Sequence, residues 1–576
     1  MSEKVYKLWN RSFGWAVFAI ALLTFGSTVE PTASFWDAGE YIATSAKLQV
    51  GHPPGAPFFQ MMGAFFALFA NTPENVALMV NYMSVFSSAF SILFLFWTLT
   101  ILLKKLPAFA SLDNLFSRLS FFGSATVGTL AFCFSDSFWF NAVEAEVYAM
   151  ATFILSLLFW LGLRWEQEMN TPRGDRWLLL IAVVIGLSFG VHFMGLLTIP
   201  ALGMIYYFKN NKEVDLKGFV IANLVSVAIL LFIFKLLLPL TLAFFGNAEV
   251  YFVNKIGLPF NSGTIIAGLC FVFFFYYTLK LTRQKKWIDF NTGILCVLFL
   301  LIGFSSWLMI PIRANANTVI NENSPSDARS LLAYYNLEQY PETHLFYGPL
   351  FSDAYAGQDD TEPYFDDKPK YERDLKTGKY IIVNHWENAR INSNAKHRGF
   401  LPRLWSSEHA GNYINFTRPL EFSISPSYRG NEMLVSRVND FRDEIREGQL
   451  TGDDYHQFYK TLAPYLDIEK PSFWSSLQYL FEYQMGYMYW RYFMWNFTGR
   501  QNDKAGTYNV LDGNWISGID FVDSIRLGNQ SELSEDALNN KARNTYFFLP
   551  LILGIIGLFF LYQQDPKRFW VLLLFF

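Results

Sequence analysis

The chain has 576 residues, of which 52% are hydrophobic, 19% aromatic and only 16% charged, with a mean hydropathy of +0.20. A soluble globular chain is about a quarter charged, so an ordinary cytosolic enzyme does not fit, and disorder, collagen and coiled coil are excluded. The net charge of −4 is uneven: residues 313–545 carry 24 basic and 32 acidic side chains (−8) and the remainder 21 and 17 (+4), which is no nucleic-acid footprint.

Lys4, Lys7 and Arg11 precede an apolar stretch at 13–29. No convincing small-residue cleavage site follows it, so it reads as an uncleaved first helix. Further apolar runs, long enough or nearly long enough to span a bilayer, lie at about 76–103, 119–134, 147–163, 218–245, 263–281, 288–312 and 546–562. Residues 177–208 are apolar over a length too great for one upright helix and too small for two full ones. They are expected to form two short helices broken near Gly190-Val191-His192. With the N-terminus in the cytoplasm, Lys104, Lys105, Arg118, Arg164, Arg173, Arg176, Lys209, Lys212, Lys217, Arg283, Lys285, Lys286, Lys567 and Arg568 fall on one side, as the positive-inside rule asks. That count requires 177–208 to cross twice and makes 58–70 an interfacial or re-entrant helix. It also places the domain-sized, acidic segment 313–545 outside. Within it, 473–498 holds twelve aromatics among 26 residues and is expected to lie along the membrane surface, where Trp and Tyr are favoured. The three cysteines, Cys133, Cys270 and Cys296, all sit in apolar runs, so no disulfide framework or Cys/His metal spacing exists. The last apolar run, from Trp570 to Phe576, is too short to span, and a continuation beyond it is expected.

The first outside loop reads Phe35-Trp36-Asp37-Ala38-Gly39-Glu40-Tyr41, followed by Gly51-His52-Pro53-Pro54-Gly55. Asp37 and Glu40 share a face if this segment is helical. The second outside loop carries Glu144-Ala145-Glu146-Val147-Tyr148, whose two acids share a face only if the chain is extended. Each pair also has a plain structural reading, as solvated acids on an interfacial helix or as complements to a helix dipole. Their recurrence with aromatics in two of three short outside loops favours a site, because sugar sites combine carboxylates with aromatic platforms. His192 sits at the break in the short hairpin, as a packed histidine or an intramembrane functional group. Arg313 is either a snorkelling anchor or a guanidinium fork for a lipid-linked phosphate; Arg491 and Arg500 are rivals for that task.

These motifs, together with Tyr487-Met488-Tyr489-Trp490-Arg491-Tyr492-Phe493, resemble the DUF2723 family of Bacteroidota. That family lies in the GT-C glycosyltransferase superfamily, near the protein O-mannosyltransferases. The resemblance covers essentially the whole chain. It implies a polytopic GT-C-like bundle of about ten or eleven transmembrane helices, with a catalytic part at 1–312. A large extracytoplasmic mixed α/β insertion at 313–545 and C-terminal helices at 546–576 complete it. It further implies an inverting transfer of mannose or a similar hexose from a polyprenyl-phosphate donor to Ser/Thr hydroxyls of exported proteins, at the outer face of the cytoplasmic membrane.

Asp37 matches the catalytic acid of the family's first loop. In the O-mannosyltransferases the two acids are adjacent, whereas here two residues separate Asp37 from Glu40. Asp37 is expected to act as general base, with Glu40 and His52 beside it. Glu144, Glu146, Tyr148 and Trp36 are expected to position sugar or acceptor, and Arg313, His192, Arg491 or Arg500 to bind the donor phosphate. A divalent cation held by Asp37, Glu40, Glu144 and Glu146 is the alternative to an arginine. Three other readings stay open: a GT-C enzyme acting on an envelope lipid or glycan, a proton-coupled transporter and an envelope scaffold. The transporter reading asks for ionisable residues near the midplane, and no internal repeat supports it.

Overall fold

A computed structural model describes residues 1–575 except 212, 342–343, 402, 449 and 507. Lys212 and Phe576, both used above, lie outside the described residues. The chain divides into two compact units, one of residues 1–339, 371–381 and 550–576, the other of 340–370 and 382–549. The first unit therefore takes in residues 313–339, which the sequence reading grouped with the outside segment.

The first unit is mostly helical, with a short strand pair, Tyr371–Asp374 with Lys379–Ile382. In chain order it contains α1 (Glu3–Ser27), α2 (Ala38–Ala46), α3 (Pro57–Ala67), α4 (Val76–Leu103), α5 (Leu115–Cys133), α6 (Asp136–Ala142), α7 (Val147–Glu168), α8 (Asp175–Ser188), α9 (Thr198–Asn210), α10 (Leu216–Leu231), α11 (Leu238–Tyr251), α12 (Ser262–Gln284), α13 (Ile288–Phe304), α14 (Met309–Ala314) and α15 (Ala328–Tyr335). Among the described residues six helical stretches are long and apolar enough to cross a membrane: Glu3–Ser27, Pro73–Leu103, Val147–Glu168, Leu216–Ile256, Ser262–Gln284 and Ile288–Ala314. The chain is thus a multi-pass membrane helical protein with an additional, strand-containing unit. The larger expected number of spans counts α5, α8, α9 and the C-terminal helices Leu549–Gln564 and Pro566–Phe575, which are shorter or less apolar.

The apolar run 177–208 forms α8 and α9, separated by a 3-10 turn at Phe193–Leu197. Helix α8 is held against α13 through two glycines. A Cβ on Gly186 would stand 2.0 Å from the Leu300 carbonyl oxygen, and one on Gly303 2.2 Å from that of Val183. Small residues at such a crossing let two backbones approach closely. The main-chain groups freed at the break find partners nearby, as apolar surroundings require. Phe59 N–H donates to the Gly190 carbonyl (3.0 Å), Trp307 Nε1–H to that of Phe189 (3.0 Å), and Met194 N–H to His192 Nδ1 (3.2 Å). One apolar core joins Phe59, Leu158, Phe189 and Trp307, and a second joins Phe25, Phe96, Phe121 and Phe122 of α1, α4 and α5.

The second unit mixes short antiparallel pairs with helices. Its pairs are Tyr347–Pro349 with Arg398–Phe400, Tyr364–Phe365 with Arg390–Ile391, Phe422–Ile424 with Leu466–Ile468, and Gly499–Arg500 with Asn544–Thr545. Helices Ala410–Phe416, Glu432–Glu447 and Gly452–Leu462 bury Tyr413, Val438, Phe441 and Tyr459 beneath them. The aromatic segment is continuous helix: Phe473–Tyr479, a π-helical stretch Leu480–Trp490, then Arg491–Phe497.

Candidate active site

The two acid-bearing loops meet. Three hydrogen bonds tie 30–37 to 143–146: Glu30 N–H to the Val143 carbonyl (3.0 Å), Ser34 Oγ–H to Glu144 Oε2 (2.6 Å) and Asp37 N–H to Glu146 Oε1 (3.1 Å). Buried Asn81 of α4 fixes the first loop from below, its Nδ2 donating to the Glu30 and Thr32 carbonyls. Glu146 has extended backbone angles and its N–H donates to the Glu144 carbonyl (2.9 Å), so a tight turn links the two acids.

Asp37 is the residue from which α2 departs, yet its side chain does not cap that helix. Its carboxylate is 59% exposed and faces His52 Nε2 at 4.0 Å. Glu40, one turn on, holds His52 twice. Glu40 Oε1 accepts from His52 N–H (2.7 Å) and Oε2 pairs with His52 Nδ1 (2.8 Å). The hydrogen bond to His52 keeps Glu40 below the usual carboxylate range, and the same bond raises His52. The order Glu40–His52–Asp37 thus places an imidazole that favours its charged form between two acids. Gly51 makes the arrangement possible, since a Cβ there would lie 2.7 Å from Glu40 Oε1.

Glu144 and Glu146 are nearly inaccessible, at 3% and 5% exposed. Burial, reinforced by Glu144 and Asp37, pushes Glu146 up to about 7, and burial raises Glu144. Tyr41 is the hub among these acids. Burial first, then Glu146, Asp37 and Glu40, hold its phenol well above the ordinary value. Its ring lies 5.1 Å from Phe59 and 6.1 Å from His52. Tyr148 packs on His192 at 5.5 Å between ring centroids. Trp36 is 86% exposed in a left-handed backbone conformation (φ 59°), an unusual state for a bulky residue. It stands next to the freest carboxylate of the site.

Helix α14 and the chain after it clamp the His52 loop. Arg313 Nε donates to the Leu48 carbonyl (2.5 Å) and Nη2 to that of Lys47 (3.0 Å), closing the C-terminal end of α2. Val50 pairs with residues 320–322 through Val50 N–H to Ile320 O (3.1 Å) and Glu322 N–H to Val50 O (3.0 Å). Tyr334 of α15 donates its hydroxyl to the Gly51 carbonyl (2.6 Å). Arg313 is thus engaged with backbone carbonyls of the loop that carries His52. Tyr334→Phe leaves that buried Gly51 carbonyl without this donor, a loss of about 1–3 kcal/mol. Thermal unfolding of the purified protein should show a lower midpoint.

Arg491 and Arg500 belong to the second unit. Arg491 is 5% exposed, bonds the Gly513 carbonyl and the Tyr487 hydroxyl, and stacks on Tyr487, Tyr492 and Trp495. This guanidinium is thus held by contacts within the second unit. Arg500 bonds the Asn502 carbonyl and lies over Trp495. Among the described residues no three His, Cys, Asp or Glu side chains converge as a metal site; the four acids form a tied pair of pairs. The sequence reading missed Ser34, Asn81 and Tyr334. Nothing near them in sequence marks them, because their partners lie 49 to 283 residues away.

Residues 37–215 match the model of the protein O-mannosyl-transferase TMEM260 N-terminal domain, and residues 341–481 match a family of unknown function, DUF8416. Over 162 residues the chain is 24% identical to protein O-mannosyl-transferase tmem260 of Dictyostelium discoideum, covering 28% of this chain and 18% of that protein. Over 177 residues it is 29% identical to protein O-mannosyl-transferase TMEM260 of Mus musculus, covering 30% and 22%. The chain therefore spans about a fifth of the length of the curated relatives it matches. No solved structure matches. The first match contains Asp37, Glu40, His52, Glu144, Glu146, Tyr148 and His192; it leaves out Trp36, Arg313, Arg491 and Arg500.

Proposed function

We propose that this chain is a membrane glycosyltransferase of GT-C type that moves mannose or a similar hexose from a polyprenyl-phosphate donor to Ser/Thr hydroxyls of exported proteins. The site faces the outside of the cytoplasmic membrane. The observation that carries this reading is an exposed, uncapped Asp37 carboxylate set beside buried acids. It lies in the part of the chain that resembles the N-terminal domain of protein O-mannosyl-transferases.

The acceptor oxygen attacks the anomeric carbon while Asp37 takes the hydroxyl proton as general base. The bond from the anomeric carbon to the phosphate oxygen breaks, and the polyprenyl phosphate leaves with its electron pair. One displacement inverts the anomeric centre. His52, held by Glu40, is the cation nearest Asp37 and offsets charge on the departing phosphate. Arg313 acts through the loop it clamps. Glu144 and Glu146 position hydroxyls, while Trp36 and the Tyr148–His192 pair offer flat surfaces to sugar and donor. A prenyl tail stays in the bilayer, so a transferase whose acids sit at helix ends meets the headgroup where it lies.

The test is mass spectrometry of exported proteins from a wild-type strain and from one lacking the gene. Loss of Ser/Thr-linked hexose on deletion supports the reading. Unchanged protein glycosylation with an altered envelope lipid or glycan overturns the protein acceptor.

The site also fixes a pH dependence. Glu146 is neutral below about pH 7 and charged above it, so raising the pH adds one negative charge beside Asp37. An anionic donor then binds more weakly, and KM for donor should rise as pH passes from 6 to 8. Glu146→Gln should shrink that rise, leaving only the part that follows loss of the His52 charge.

A further inference from the structure

The helix spanning residues 473–497 has two faces of different character. On one, Tyr479, Tyr483 and Tyr487 stack at 5.0 and 5.7 Å, and Arg491 closes the row over Tyr487. This row packs into the second unit, against Tyr413, Phe416 and Tyr508. The other face presents Trp474, Phe481, Met485, Tyr489 and Trp490, all between 45% and 76% exposed. Only two charged residues occur in the helix, and with Arg491 buried the sole exposed charge is Glu482. A row of large apolar groups this long is costly to leave in water.

The chain that follows the helix bears on what covers that face. Directly after it, Gly499–Arg500 pairs with Asn544–Thr545, and Tyr546 N–H donates to the Thr498 carbonyl (2.7 Å). Four residues beyond Thr545 the chain enters Leu549–Gln564, an apolar helix with none of its residues buried in the protein. Four residues reach at most about 14 Å. The C-terminal end of the aromatic helix is therefore linked by a short stretch of chain to an apolar helix that the protein leaves uncovered. The helix itself is not one of the six stretches apolar enough to span. Its exposed side is rich in Trp and Tyr, the residues that settle at headgroup level with ring in hydrocarbon and polar tip in water.

We propose that the exposed face of residues 473–497 is a membrane-docking surface that seats in the interfacial layer of the phospholipid bilayer and moors the second unit there. The seating is shallow, about 5–10 Å into the headgroup and acyl boundary. It is independent of the transferase reading and of which sugar or acceptor the first unit uses.

The test uses the full chain in phosphatidylcholine/phosphatidylglycerol nanodiscs. A spin label is carried on an encoded keto amino acid at Met485, at Tyr489 in a second preparation, and at exposed Met433 of the same unit as control. All three sites lie on the surface, so the label leaves the fold in place. Collision rates with oxygen, which concentrates in lipid, and with a water-soluble nickel chelate are compared. The expected result is an oxygen-to-nickel ratio several-fold higher at 485 and 489 than at 433. A ratio equal to that of 433 places the face in water and overturns the proposal. Shielding from both reagents also overturns it, since a protein surface, either an acceptor chain or a second copy, then covers the face.

Discussion

Asp37→Asn is expected to lower the rate of sugar transfer about 10²–10⁴-fold, the range that a positioned general base contributes. The substitution keeps shape and hydrogen-bonding size but removes the basic lone pair at neutral pH. The fold should be indifferent to it. The side chain does not cap α2, and the tie to Glu146 runs through the Asp37 main-chain N–H, which asparagine keeps. Stability should stay within about 0.5 kcal/mol of wild type. The measurement is the initial rate of hexose transfer to a Ser/Thr peptide by reconstituted protein, with a thermal unfolding midpoint as control. The diagnostic pattern is a collapsed kcat with an unchanged midpoint. An Asp37→Asn protein that turns over near the wild-type rate removes Asp37 from the chemistry and with it the proposed mechanism. Because the Asp37 charge is one cause of the raised Glu146 value, the same variant should also move Glu146 downward.

The second large effect is on stability, at the other end of α7. Glu166 is 7% exposed and is the shared counter-charge of two cations. Lys105 Nζ lies at 2.5 Å and Arg568 Nη1 at 3.0 Å, with a further bond from Arg568 Nη2. Arg568 comes from the C-terminal helix Pro566–Phe575, whose Phe575 ring stacks near Phe159 of α7 at 4.3 Å. Glu166→Ala leaves Lys105 without its bonded anion and Arg568 with Asp565 alone (3.4 Å), at a cost of up to roughly 3–5 kcal/mol. The thermal midpoint should fall sharply, and the C-terminal helix should become the first site of proteolysis. Pairing Glu166→Ala with Arg568→Met should recover part of the loss, since one uncompensated charge goes with it. An unchanged midpoint in the single variant means that water solvates these cations and the ion cluster contributes nothing.

The architecture was legible where composition and period decide it. The apolar runs became helices, and the run at 177–208 broke at Gly190-Val191-His192 because two glycine-mediated contacts and the facing Phe59 N–H hold it there. The pairing of the two acidic loops was legible as a coincidence of composition, though not its atoms. What stayed hidden depends on partners far away in sequence. Arg313 reads equally well as an anchor or a phosphate ligand until residues 320–322 are seen alongside Val50. Only then does its engagement with the Leu48 and Lys47 carbonyls become visible. Arg491 stands in an aromatic-rich motif that suggests a ligand site, yet the π-helical stretch turns it inward onto Tyr487. Sequence shows which residues are charged, and only packing shows which of those charges are already engaged.

The tie between the loops also sets an order of assembly. The ribosome delivers Asp37 early, the Glu146 that fixes its main chain 109 residues later, and the Arg313 that braces the His52 loop later still. Each long closure adds little to the entropy already lost, since doubling a loop costs only about 0.6 kcal/mol, but each must await its partner's synthesis. A nascent chain ending before Glu146 carries Asp37 on an unbraced loop. The acid-bearing loops are therefore tied in two stages, the second only after Arg313 is made.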